Sequence, residues 1–312
     1  MRNKALMKYE AQAFGAVRQI ELKREGVQIG ERLLDFADVS LMRPVNHRIF
    51  IEMLGGETVE ISMLGFSYDG FWEELMQKFS DRSMEALFAE EAPLMKCEGE
   101  YQFGSEHGRG LIVLMPDAVC ILPQNCHAVR IPLCFASDIT LKGYQLSITL
   151  ESGGRYTVGK MGYDTKPFAE RCIKASQDVK LRRSRMLSKH EVRPPFTEKG
   201  LFRTAQTDEY YLAAVKNGRC AVELFTHDDS ATYLYRYQEE DSVFACRLRE
   251  AMEAIGSRRE IIYISDEQLA EKPLFRMALA RCDAVSFLRG KSAGRLIHNA
   301  GHSRVLSEFL EG

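Results

Sequence analysis

Two stretches of this chain repeat one pattern, and that pattern limits the folds open to it. Gly55–Leu75 reads GGETVEISMLGFSYDGFWEEL and Gly153–Cys172 reads GGRYTVGKMGYDTKPFAERC. Each opens on a glycine pair, Gly55-Gly56 and Gly153-Gly154. Glycine tolerates the positive φ that a tight hairpin turn needs. A short alternating strand follows in both, then a glycine-aromatic step (Gly65-Phe66, Gly162-Tyr163), then a helix. From that step onward Phe71 aligns with Phe168 and Glu73 with Glu170 without a gap. A hairpin feeding an amphipathic helix, used twice, predicts two like domains that each seal a core.

The residues before each hairpin predict further strands. Val17–Lys23 alternates apolar and polar residues, and Arg24-Glu25-Gly26 turns the chain back. Asp38–Met42 is a strand that Arg43-Pro44 is expected to end, because proline cannot donate to a ladder. Arg48–Leu54 and Thr58–Met63 form the hairpin, with Ile49, Ile51 and Met53 on one face. The following helix carries Phe71, Trp72, Leu75, Met76 and Phe79 as one stripe. In the second copy Leu111–Met115 and Ala118–Leu122 flank the turn Pro116-Asp117. Its helix repeats Phe168, Cys172, Ala175 and Val179 at helical spacing. The fold class is therefore mainly β with α: tandem antiparallel barrels, each capped by a C-terminal helix.

Pro93 and Pro194-Pro195 mark the joints. They divide the chain into residues 1–92, 93–190 and 195–312. In the last third, Asn217-Gly218 between apolar runs is a strong hairpin signal. Residues 239–255 form a helix, and Ile261–Ile264 and Ala284–Leu288 read as strands. Two accounts fit this part: a third barrel with 239–255 inserted, or a separate α+β domain.

The short strands, the glycine-turned last hairpin and the closing helix resemble the pleckstrin-homology-like barrel of the PH and GRAM type, in tandem. Trp72 strengthens the likeness, since that family keeps a tryptophan in this helix to plug the barrel. Phe168, one residue earlier in the alignment, is expected to do a related job. The resemblance implies binding of phosphoinositides, peptides or proteins, without catalysis or a cofactor. Lipid-binding members cluster basic residues in the first strand-to-strand turn. Read from the sequence, that turn holds Lys23 and Arg24 followed by Glu25, and Pro116-Asp117 in the second copy, which speaks against an inositol phosphate.

The remaining chemistry is sparse. A net charge of −2 argues against a globally basic nucleic-acid binder. No apolar run is long enough to cross a membrane, and the first residues lack a signal-peptide core, so the cytoplasm is the expected location. Cys120, Cys126, His127 and Cys134 lie close in sequence but lack the paired ligand spacing of a zinc site, so no metal is expected. The basic run with Lys180, Arg182, Arg183, Arg185 and Lys189 offers an electrostatic contact for anionic lipid or nucleic acid. Cations at a helix C-terminus also simply complement its dipole. The expectation is a non-enzymatic scaffold that binds another protein. Membrane-surface recruitment through 180–193 and an enzyme with a site at a domain junction are the alternatives.

Overall fold

The computed structural model describes residues 8–89, 91–187, 210–225, 230–256, 258 and 260–298. The chain forms two compact units. One gathers Met1–Glu90, Leu122–Ala128 and Ala270–Arg281; the other gathers Glu91–Ile121, Val129–Leu269 and Cys282–Gly312.

In the first unit, β1 (Lys8–Ala13), β2 (Ala16–Leu22), β3 (Gly26–Ile29) and β4 (Arg32–Asp35) make one antiparallel meander. β5 (Val39–Val45), β6 (Arg48–Met53) and β7 (Thr58–Ile61) make a second. A 3₁₀ turn over Phe36–Asp38 rounds the corner between them, with the Asp35 carboxylate accepting the Ala37 N–H at 2.8 Å. Alternation places Ile20, Leu22, Val27 and Ile29 against Ile49, Ile51, Val59 and Ile61 in one core. The helix α1 (Tyr68–Ala86) seals it with Phe71, Leu75 and Phe79, spaced one helical turn apart.

Two expectations change here. Lys8–Ala13 is a strand that hydropathy alone conceals, because its inward positions are Tyr9 and two small alanines, Ala11 and Ala13. The turn with Lys23 and Arg24 therefore joins β2 to β3, and the first turn is Phe14-Gly15, which carries no cation. Pro44 also lies inside β5, opposite Ile49. Met42 points its N–H away from β6, toward Gln124, so Pro44 two residues on lacks a donor only on that outer side.

In the second unit β8 (Met95–Phe103), β9 (Glu106–Leu114), β10 (Ala118–Leu122), β11 (Val129–Pro132), β12 (Ala136–Lys142), β13 (Gln145–Leu150) and β14 (Arg155–Gly159) form a single sheet. It is a nearly closed barrel in which β14 pairs with β8. The helix α2 (Thr165–Leu187) buries Phe168, Cys172, Ala175 and Val179 in its interior.

The two seven-strand modules correspond without a gap from the corner onward. Phe36–Asp38 matches the 3₁₀ turn Leu133–Phe135, and both following strands carry a bulge at the same place, after Val39 and after Ala136. Gly56 and Gly153 take φ of 86° and 90° and donate to the carbonyls of Met53 and Leu150 at 2.9 Å. The glycine pairs are thus staggered: Gly55 corresponds to Ser152 and Gly154 to Glu57. Phe71 and Phe168 are both fully buried. Trp72 is only half-buried and packs on the rim of the core, so the phenylalanine rather than the tryptophan fills the interior.

The rest of the second unit holds β15 (Tyr210–Lys216), β16 (Arg219–Phe225) and β17 (Ser230–Tyr237), with β18 (Ser292–His298) pairing onto β17. Asn217-Gly218 turns the β15–β16 hairpin with both residues at positive φ. Between β17 and β18 come α3 (Asp241–Ile255), α4 (Glu260–Tyr263), α5 (Asp266–Ala270), α6 (Pro273–Arg281) and α7 (Asp283–Lys291). The strands expected at Ile261–Ile264 and Ala284–Leu288 are absent: Ile261–Tyr263 lies in α4 and Ala284–Leu288 in α7. Adjacent Ile261 and Ile262 are both buried, as are Ala284, Val285 and Leu288, a spacing that suits one helical face better than an alternating strand. Helix α6 belongs to the first unit, where Met277 packs with Ala37 and Ala86 and Arg281 donates to the Ala86 carbonyl at 2.6 Å.

Candidate binding surface

The modules differ most where their first and last strands meet. In the second module Tyr156, Thr157, Val158 and Gly159 of β14 pair with Phe103, Gln102, Tyr101 and Glu100 of β8. In the first module one bridge is seen among the described residues: Gln12 and Ser62 exchange hydrogen bonds of 2.8 and 3.0 Å. The reason is strand length. β1 turns away at Phe14-Gly15, with φ of 52° and 74°, where β8 runs on to Phe103.

Among the described residues, the shorter hairpin leaves the outer edge of β7 bare. Glu57, which accepts from the Met53 N–H at 2.8 Å, sets the alternation. Glu57, Val59 and Ile61 spend their backbone groups on β6, so Thr58 and Glu60 direct theirs outward. Beside this edge lies a groove of about 700 Å³ between the β1–β2 turn, the β5–β6 turn at Asn46-His47 and β7. Its corresponding depression on the second module is about 330 Å³, lined by Glu100, Gln102, Arg109, Thr157 and Lys160.

Charge in the larger groove is paired off. Arg48 meets Glu60 at 3.1 Å, and His47 packs edge-on against Tyr68 with ring centroids 5.2 Å apart. Apolar side chains stand in water around it: Phe14 is 41% exposed and Met63 72%. The guanidinium of Arg32 lies over the Phe14 ring at 5.1 Å and pairs with Glu57, whose carboxyl it holds below the ordinary range by hydrogen bonding. Phe66 and its counterpart Tyr163 are fully exposed in both modules.

Another edge of the first module is already occupied. The β3–β4 turn is only Gly30-Glu31, but the connection from β10 to β11 spans Pro123–Ala128, and its residues Gln124–Cys126 lie along β5. The Met42 N–H donates to the Gln124 carbonyl and the Cys126 N–H to the Ser40 carbonyl, each at 2.8 Å. Asn125 supports the strap through its side chain, which accepts the His127 N–H at 2.9 Å.

The residues singled out from the sequence are scattered. Lys23 donates to Gln28 at 3.1 Å, and Arg24 pairs with Glu85 at 2.6 Å, so both are engaged by their own module. Lys180 donates to the Ala136 carbonyl at 2.5 Å, at the corner leading into β12. Arg182, Arg183 and Arg185 follow on the last turns of α2, and Lys189 lies outside the described residues. Cys120 and Cys134 are buried in the second module, whereas Cys126 and His127 belong to the strap. Among the described residues no three His, Cys, Asp or Glu side chains converge as metal ligands, and no helix is long and apolar enough to cross a membrane. The groove residues Phe14, His47, Arg48, Glu60 and Met63 carry no motif; only the missing length of the first hairpin signals them. No protein-family model matches the chain, and no curated protein matches it either.

Proposed function

We propose that this is a non-catalytic binding protein whose two seven-strand modules are pleckstrin-homology-like barrels in tandem, and that the first holds another protein at its open seam. The family reading is supported by the order of elements: seven antiparallel strands, a corner after the fourth, and a closing helix with a buried phenylalanine. The binding reading is carried by one observation, the bare β7 edge beside a 700 Å³ groove with Phe14 and Met63 exposed around it. Exposed apolar side chains grouped around a concave surface favour a macromolecular partner. A phosphate-bearing ligand would want unpaired cations there, and Arg48 is committed to Glu60.

The test is a photo-crosslinking phenylalanine analogue placed at position 63 in the full chain and irradiated in native extract. The adduct is identified and its binding reconstituted with purified components. A protein adduct that reconstitutes, and weakens on Phe14→Asp, supports the reading. Adducts of lipid or nucleic acid only, or none above a probe at exposed Lys142, overturn it.

A further inference from the structure

The geometry points to an extended, aromatic-bearing segment of the partner that adds as a strand to β7 in the first module. This rests on the protein-binding reading above and specifies its mode. Four observations converge on it.

First, the edge is chemically ready. Thr58 and Glu60 each direct an N–H and a C=O toward the groove, beyond the Gln12–Ser62 bridge where β1 ends. Exposed backbone groups at a sheet edge are a template for another strand. Second, the place accepts a strand, because the second module fills it from its own chain: Gln102 lies opposite Thr157, the counterpart of Glu60, and Phe103 opposite Tyr156, the counterpart of Val59. Third, the first module already holds an extended segment on β5 through Gln124–Cys126, so its sheets recruit strands beyond their own meander.

The fourth observation selects the side chain. In the second module this end of the barrel is packed by Tyr101, Phe103 and Tyr156, with successive ring centroids 5.7 and 5.9 Å apart. The corresponding residues of the first module are Ala13, Gly15 and Val59. A Cβ built on Gly15 would meet no atom within 4 Å. A segment that continues β1 in place of the missing residues would bring an aromatic ring to the position held by Phe103, while its backbone satisfies Glu60 and Thr58.

The experiment selects random linear peptides on a display library against the full chain and measures the synthetic peptides on the purified protein. Enriched sequences are expected to carry an aromatic residue within an alternating run, and the Thr58 and Glu60 amides to become protected from hydrogen exchange when they bind. A variant in which Gln102–His107 replaces Phe14-Gly15 lengthens the first hairpin to match the second and occupies the edge internally. It is expected to bind the peptides about tenfold more weakly or worse, the equivalent of one net hydrogen bond or more. Should that graft fail to fold, Glu60→Pro removes the outward N–H, Glu60→Ala controls for the Arg48 ion pair lost in both, and the proline variant is expected to bind more weakly than that control. Equal affinity of a folded graft, or no protection at Thr58 and Glu60, overturns the strand mode. If no peptide is enriched while the position-63 adduct still reconstitutes, the strand mode fails and protein binding stands; if both fail, both readings fall.

Discussion

The Ser152 hydroxyl donates to the Glu253 carboxylate at 3.2 Å, joining the β13–β14 turn to helix α3. Glu253 is 8% exposed, and its other oxygen has no hydrogen-bond partner among the described residues. Burial pushes its pKa up to about 7, and the same environment raises Tyr156 to about 12. Between the unfolded carboxyl value and about 7 the folded state keeps a proton that the unfolded chain releases. The contribution of Glu253 to stability is therefore greatest below the unfolded carboxyl value and falls as pH rises through that window. Glu253→Gln keeps an acceptor for Ser152 and removes the charge. Its advantage over the parent should grow from near zero at pH 3 to about 3 kcal/mol at pH 8, read from denaturant midpoints at both pH values.

Asp241 should show the opposite slope. Its carboxylate accepts from the Tyr237 hydroxyl at 2.6 Å and from the Asn217 and Gly218 N–H groups at 3.1 and 3.3 Å, holding the β15–β16 turn to the start of α3. Hydrogen bonding to Tyr237 holds its pKa below the usual range. That support is present above the ordinary Asp value and is lost as pH falls through the depressed one. Asp241→Asn should remove this acid-side loss, and hydrogen exchange at Asn217 and Gly218 should accelerate in the variant at neutral pH.

Arg130 and Asp117 form an ion pair with side chains only 5% and 11% exposed. Removing one partner strands a buried charge, so Asp117→Ala should cost about 3–5 kcal/mol. Arg130→Met combined with Asp117→Ala should recover much of that loss, because the remaining site is apolar. A double-mutant cycle in urea measures the coupling, and additive single losses would contradict it.

Phe71 and Phe168 fill equivalent places, whereas Trp72 covers a rim. Phe71→Ala and Phe168→Ala should each cost about 3–5 kcal/mol, and Trp72→Ala about 1–2 kcal/mol. Unfolding followed by tryptophan fluorescence reads the Phe71 variant, and circular dichroism reads the others.

These contrasts show what the sequence could and could not convey. The hairpin with its helix was legible because Ile49, Ile51, Phe71 and Phe168 obey the period of their elements and face one core. β1 was hidden because Ala11 and Ala13 bury little surface, and β8 because Glu98, Gly99 and Glu100 interrupt its apolar residues. Ile261–Tyr263 misled because a short apolar run does not distinguish strand from helix. The groove carries no motif: it arises from where β1 stops relative to β7, a relation between strands distant in sequence. Lys23 and Arg24 occupy the first strand-to-strand turn only when β1 is missing from the count.

The strap along β5 has a consequence for how the molecule is made. The first unit draws on Leu122–Ala128 and Ala270–Arg281, so synthesis must pass Arg281 before this unit holds all its parts. Until Gln124 and Cys126 emerge, Met42 and Ser40 present unsatisfied backbone to any passing strand, and the newborn polypeptide is most prone to association over that interval.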